Sequence, residues 1–209
     1  MELKSFIFIR DLSINQQIRR HMTITLSNTQ GAAPNESPGS IHSPQKEITL
    51  CVPESTDGAA VHALIANTPP LDPNSLYCNL LQCTHFAQSS IKAMTGDTLV
   101  GFISGYRLPE SPETLFIWQV AVAEQARGKG LAKQMLLALI RRLNTHHPVA
   151  HLETTITPDN LASWSLFKSL AASLNAPWQS EVMFGRQTHF QNLHDEELVM
   201  RIGPFCQPE

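Results

Sequence analysis

Residues 120–132 read Val120-Ala-Val-Ala-Glu-Gln-Ala-Arg-Gly-Lys-Gly-Leu-Ala132. Residues 114–123 (TLFIWQVAVA), which overlap its start, are almost continuously apolar, as expected of a strand buried in the middle of a sheet. After it, Leu131, Met135, Leu136, Leu139 and Ile140 recur at helical spacing. A buried strand therefore passes through a glycine turn directly into a helix. The first N–H groups of a helix have no intrahelical partner and point outward at the positive end of the helix dipole, so they form an anion site. Gly128 and Gly130 allow the backbone to approach a pyrophosphate with no side chain between, and Arg127 and Lys129 add positive charge. The spacing is neither G-x-x-x-x-G-K-[ST] nor G-x-G-x-x-G, which excludes a nucleotide P-loop and a Rossmann turn. Two glycines alone serve any tight strand-to-helix turn. The form Q-x-x-G-x-G directly after a V-A-V strand is more specific.

Working outward, residues 48–52 (ITLCV) predict a strand, and Ser55 or Thr56 caps a helix to about Asn67 with Ala60, Val61, Leu64 and Ile65 on one face. Thr68-Pro69-Pro70 ends it. A second helix is expected over about Ser75 to Phe86, with Leu76, Leu80, Leu81 and Cys83 at helical spacing. Strands are expected near 89–94, 98–106, 114–123 and 149–156, and helices over 131–143 and 160–174. Two late strands, near 181–184 and 197–202, close the sheet. The predicted fold class is α/β (α+β), with a mixed, mostly antiparallel sheet of about seven strands flanked by four helices. Residues 28–46 are rich in Gly, Pro, Ser and Asn and nearly devoid of apolar side chains, so they read as a linker or disordered segment. Residues 1–27 have scattered apolar residues that could form a short appended element, and residues 1–46 together are expected to be a dispensable tail ahead of one domain at 47–209.

Of the 209 residues 16% are charged, and the net charge is −3 with a pI near 6.3. No basic face suited to nucleic acid follows from this, and no basic cluster or apolar run suits a membrane. Cys51, Cys78, Cys83 and Cys206 have no C-x-x-C spacing and read as reduced thiols. His146, His147 and His151 lack metal-ligand spacing with acidic partners, so no metal is expected, and the cytoplasm is the expected location.

The passage Val120 to Ala132 resembles motif A of the GNAT superfamily of N-acetyltransferases. Asn160-Leu-Ala-Ser163-Trp-Ser-Leu166-Phe167 resembles the next motif of that family, N-x-x-[AS]-x-x-L-[YF]. The resemblance implies the GNAT fold, acetyl-CoA as donor, and direct attack by an amine. It also implies that Val120, Val122, Arg127, Gly128, Lys129, Gly130, Leu131, Ala132 and Asn160 hold the cofactor. Phe167 stands where many members carry a tyrosine that protonates the leaving thiolate. Within the superfamily, residues 69–86, 102–122, 151–160 and 194–204 resemble the diaminobutyrate acetyltransferases of ectoine biosynthesis, which acetylate the γ-amine of L-2,4-diaminobutyrate. That resemblance implies a homodimer. An acetyltransferase for another small amine, or a non-catalytic acyl-CoA-binding module, are the competing readings.

A zwitterion with a second ammonium needs acidic partners and a pocket wall. Asp72, just after the Pro-Pro break, would overhang the cleft, although in L-D-P-N it could equally cap a turn. Trp118, two residues before Val120 and so on the same strand face by alternation, can wall the pocket and face a cation, although strand tryptophans are commonly core. His194 and Glu197 lie close together in the chain, where Asp195-Glu196-Glu197 also reads as a solvated run. An alkyl amine of pKa about 10.4 is neutral in only roughly one molecule per thousand or fewer at pH 7, so a base is needed. Glu153 and Glu197 are the candidates.

Overall fold

A computed structural model describes residues 22–24, 47–145 and 147–205. The expected elements from residue 47 onward are all present. β2 is Ile48–Cys51, α1 is Gly58–Ala66, α2 is Leu76–Gln82, and β3 is Ile91–Thr95. β4 is Thr98–Leu108, β5 is Ser111–Val122, and α3 is Leu131–Asn144. β6 is His151–Ile156, α4 is Leu161–Ser173, β7 is Trp178–Phe184, and β8 is Glu197–Ile202. One further strand, β1, spans Met22–Ile24 and pairs antiparallel with β2. The sheet thus has eight strands in the order β1-β2-β3-β4-β5-β6-β8-β7. The eighth comes from the segment read as a tail: a piece of residues 1–46 has sheet partners. Residues 28–46 and Cys206 lie outside the described residues.

Alternation along the strands sorts the core onto two faces. Ile103, Leu115, Ile117, Leu152 and Met200 are at most 1% exposed and pack against Met135, Leu136, Leu139 and Ile140 of α3 and Phe167 and Leu170 of α4. Phe102 and Ala121 point to the other face and pack against Val61, Leu64 and Ile65 of α1. Two local expectations fail. The turn before α1 is capped by Glu54 with Asp57 in a reciprocal box rather than by Ser55 or Thr56, and Ala60 faces solvent. The buried face of α2 is polar: Asn79 and Gln82 are inside, while Leu76 is 44% exposed. Asn79 bonds both His62 (3.1 Å) and Gln82 (3.0 Å). Of the apolar residues read at helical spacing, Cys83 is buried and Leu80 and Leu81 are half-buried, so only Leu76 departs from the inner face.

All strand pairs are antiparallel except β5 with β6. That parallel ladder runs only from Thr114 opposite His151 to Ile117 opposite Thr154, although β5 continues to Val122 and β6 to Ile156. Beyond Ile117 the two strands part. At the same level the β4–β5 register slips, with Ser104 opposite Gln119 but Gly105 opposite Ile117, which leaves Trp118 as the extra residue of a bulge.

Gly105 permits this crossing. A Cβ there would sit 2.7 Å from the Phe116 carbonyl oxygen and 3.0 Å from that of Ser89, both backbone atoms with little room to give. Gly105→Ala should therefore lower the urea midpoint by an amount equivalent to about 1–3 kcal/mol. An unchanged midpoint would show that the bulge tolerates a side chain.

Candidate active site

Because β5 and β6 run parallel, their C-terminal ends lie at one edge of the sheet, and so do the turns that open α3 and α4. In an open α/β sheet this is where ligands sit. Gly128 and Gly130 adopt φ of +74° and +72°, which L side chains rarely adopt. The space in front of both is open: nothing lies within 4 Å of a Cβ at Gly128, and only Gln134 Nε2 reaches 4.0 Å at Gly130. Gly130 is the N-cap of α3 and contributes no side chain to the cap, while its carbonyl accepts the first helical bond from Gln134 N (3.1 Å). The N–H groups of the first turn are therefore presented to an open concavity. Arg127 Nε donates to the Val122 carbonyl (2.9 Å) and Lys129 Nζ to that of Gln125 (3.2 Å), so both cations brace the turn while exposed. Leu131 anchors the helix start in the core, Ala132 follows half-buried, and Val120 and Val122 pack against the α3-side core. This arrangement fits a pyrophosphate.

Asn160 caps α4, its Oδ1 accepting from Ser163 N (3.1 Å), and its Nδ2 makes no hydrogen bond among the described residues. Between the two turns runs the edge of β5 from Trp118 to Val122, which has no strand partner on the β6 side among the described residues. An extended ligand carrying amides can pair with such an edge in the manner of an added strand.

On the face away from α3 and α4, the loop between α1 and α2 is tied to β5. Gln119 Nε2 donates to the Asp72 carbonyl (3.0 Å), and Asn74 Nδ2 donates to Gln119 Oε1 (2.8 Å). Asp72 is thereby held beside the bulge at Trp118, and its carboxylate makes no ion pair among the described residues. The bulge breaks the strict alternation that would place Trp118 on the face of Val120. Trp118 is 47% exposed, so it is not a core residue.

The two candidate bases differ in surroundings. Glu153 points away from Leu152 and the core as expected, but the Arg201 guanidinium opposite it on β8 donates to its carboxylate. It lines an open groove of about 470 Å³ over β6, β8 and β7 that includes none of Asp72, Trp118 or the glycine turn. Glu197 is half-buried and makes no ion pair or hydrogen bond through its side chain among the described residues. By alternation Glu197, Val199 and Arg201 share a face, opposite Met200. Leu198 pairs with Ile156, so Glu197 stands about 13 Å beyond Arg201 along the strand, level with the parted end of β5. His194 is exposed, its Nδ1 lying 2.7 Å from the Asp195 carbonyl and its ring 4.8 Å from that of Phe190.

Phe167 is 2% exposed in the core and carries no proton to donate. Burial raises each of the three described cysteine thiols, Cys51, Cys78 and Cys83, above its ordinary value, Cys83 to about 11. A raised thiol pKa leaves little thiolate at neutral pH, so none of these three is an activated nucleophile. Sequence reasoning missed Gln119. Its only signal was a polar side chain in the long apolar run before the glycine turn.

Comparison with known proteins identifies the family and the fold. The acetyltransferase (GNAT) family matches residues 62–171. An L-2,4-diaminobutyric acid acetyltransferase of Methylotuvimicrobium alcaliphilum is 52% identical over 158 residues, spanning 76% of this chain and 91% of its own. One of Vibrio cholerae is 44% identical over 165 residues, spanning 79% and 95%. Among solved structures, the diaminobutyrate acetyltransferase of Paenibacillus lautus, in complex with L-2,4-diaminobutyric acid and coenzyme A, superposes with a TM-score of 0.72 at 39% identity over 78% of this chain and 99% of its own. The ribosomal-protein-S18-alanine N-acetyltransferase of Escherichia coli, at 17% identity and a TM-score of 0.58, shares the fold. This chain belongs to the acetyltransferase (GNAT) family.

Proposed function

We propose that this protein transfers the acetyl group of acetyl-CoA to the γ-amine of L-2,4-diaminobutyrate, giving N4-acetyl-L-2,4-diaminobutyrate and CoA, the acetylation step of ectoine biosynthesis. One observation carries the reading. The parted end of β5 has an open glycine turn at its tip and, on the opposite face from α3, two carboxylates free of ion pairs among the described residues, Asp72 and Glu197. The relatives named above support the choice of amine.

The γ-ammonium first loses one proton to become the attacking amine. The transfer then makes one C–N bond, breaks one C–S bond and sheds a second N–H proton that neutralises the departing thiolate, so one proton is released overall. The backbone N–H groups at Gly128, Gly130 and the first turn of α3 hold the pyrophosphate, Arg127 and Lys129 supply positive charge, and the edge at Val120 and Val122 lines up the amide-bearing arm. Asn160 Nδ2 adds a donor across the cleft. Asp72 and Glu197 receive the two ammonium groups, and the exposed Trp118 ring forms the wall between them. Glu197, unpaired and level with Val120, takes the proton directly or through water. Glu153 is the competing base, but Arg201 already occupies its carboxylate. A thiolate is a fair leaving group, since a thiol has a pKa of about 8.5, so Phe167 in place of an acid does not block the reaction.

The enzyme acts in the cytoplasm as a homodimer. β7 is the last strand of the sheet, and it exposes Trp178, Val182, Met183 and Phe184, a surface suited to a second copy. Light scattering after size exclusion should give twice the chain mass of 23.2 kDa; a monomer at micromolar concentration would refute the dimer.

Gly130→Val should raise KM for acetyl-CoA at least ten-fold, about 1.4 kcal/mol, and leave KM for the amine near normal. The strained φ will also lower Tm, so the contrast between the two KM values is the decisive reading. Equal effects on both substrates would mean that the turn does not hold the cofactor. Asp72→Ala and Glu197→Ala should each reduce kcat/KM for diaminobutyrate by roughly tens to thousands of fold, because removing one partner of a desolvated charge pair costs on the order of 2–5 kcal/mol. CoA binding by calorimetry should persist in both. Glu197→Ala should also flatten the rise of rate with pH, whereas Glu153→Gln should not. Wild-type turnover of lysine, ornithine or spermidine at the rate of diaminobutyrate would sink the substrate assignment.

A further inference from the structure

We propose that Gln119 is a positioning residue that sets the acceptor pocket, by clamping the α1–α2 loop onto β5 through both ends of its amide. The inference rests on the acceptor pocket proposed above and goes beyond it. Gln119 is half-buried directly after the bulge residue Trp118. Its Nε2 donates to the carbonyl of Asp72 at 3.0 Å, and its Oε1 accepts from Asn74 Nδ2 at 2.8 Å. Both bonds link residues more than forty positions apart, so they are tertiary ties between strand and loop. A carbonyl can only accept, and this fixes which end of the amide faces Asp72.

The loop's other ties are the packing of Leu71 against the cluster of Val61, Leu64 and Phe102 and hydrogen bonds local to its two ends. Leu71 N donates to the Thr68 carbonyl at 3.0 Å, and α2 begins with Ser75 Oγ accepting from Cys78 N at 3.1 Å. Asp72 itself is exposed and is held through its backbone, so its carboxylate stays free for a cation. Asp72 and Trp118 come from distant parts of the chain. Gln119 bonds one and adjoins the other, and so sets the distance between carboxylate and ring. A carboxylate that recognises an ammonium at the end of a short chain gains selectivity only if that distance is fixed beforehand.

Two measurements on Gln119→Ala and Asn74→Ala test the clamp, the first without any substrate. Amide exchange in residues 71–75 of the substrate-free protein should speed up in Gln119→Ala, less so in Asn74→Ala, while α3 exchanges as in the wild type. KM for diaminobutyrate should rise roughly ten-fold in Gln119→Ala and a few-fold in Asn74→Ala, with kcat within about two-fold and KM for acetyl-CoA unchanged. The double variant should be no worse than Gln119→Ala, because Asn74 acts through Gln119. Unchanged loop exchange in Gln119→Ala overturns the clamp whatever the substrate is. Faster exchange with unchanged KM for an amine the wild type does turn over overturns the positioning role. A wild type that ignores diaminobutyrate strikes the substrate assignment instead, and the exchange result still decides the clamp.

Discussion

Two parallel strands that pair over four residues and then separate leave polar backbone groups in the middle of a sheet without strand partners among the described residues, and the site proposed above is built around this parting of β5 from β6. Unpaired N–H and C=O groups are tolerated when water or a ligand takes them, but costly when buried. The opening persists because each side is anchored separately. β1 to β5 are joined by four successive antiparallel ladders and packed by α1 on one face, and β6, β8 and β7 are joined by two more ladders beside α4. A continuous apolar cluster under α3 and α4 joins the two halves on the opposite face. The gap is therefore a fixed feature of the fold, lined by main-chain donors and acceptors and open at the edge where both helices begin.

Charge is distributed around that gap in a way that separates recognition from structure. Glu153 and Arg201 satisfy one another across β6 and β8, and Lys92 and Asp57 do the same between β3 and the turn before α1. Removing one member of either pair would strand the other in a partly desolvated place. Asp72 and Glu197 have no such partner among the described residues. A carboxylate without a cation partner is available to a cationic ligand, which is the part Asp72 and Glu197 take in the proposed function.

The bulge at Trp118 connects these two themes. By adding one residue to β5 opposite the Ser104–Gly105 step, it turns an aromatic ring out of the core beside the opening and puts Gln119 where it can reach the α1–α2 loop. Gly105 makes the crossing possible, since any side chain there would meet two backbone carbonyls. A backbone irregularity in one strand thus brings together an exposed ring, a carboxylate-bearing loop and the amide that ties them, the parts of the proposed pocket, from segments far apart in the chain.

Much of this was legible in the sequence. The apolar run of β5, the Q-x-x-G-x-G turn and the periodicity of α3 are local patterns, and local patterns determine secondary structure, the anion-binding turn and the order of elements from residue 47. Asn160 as a helix cap and Asp72 after the proline break were readable for the same reason. What the sequence did not disclose depends on pairing between distant segments. Alternation put Trp118 on the face of Val120, because a bulge appears only when β4 and β5 are in register. The sequence offered Glu153 and Glu197 alike, and only the pairing of β6 with β8 sets Arg201 against Glu153, while Glu197 has no ion pair among the described residues. The polar inner face of α2 followed from a hydrogen-bond network with His62 on another helix, and Met22–Ile24 became a strand because β2 offered an unpaired edge. In each case the deciding energy lies in a contact across the fold, and tertiary structure alone assigns such contacts.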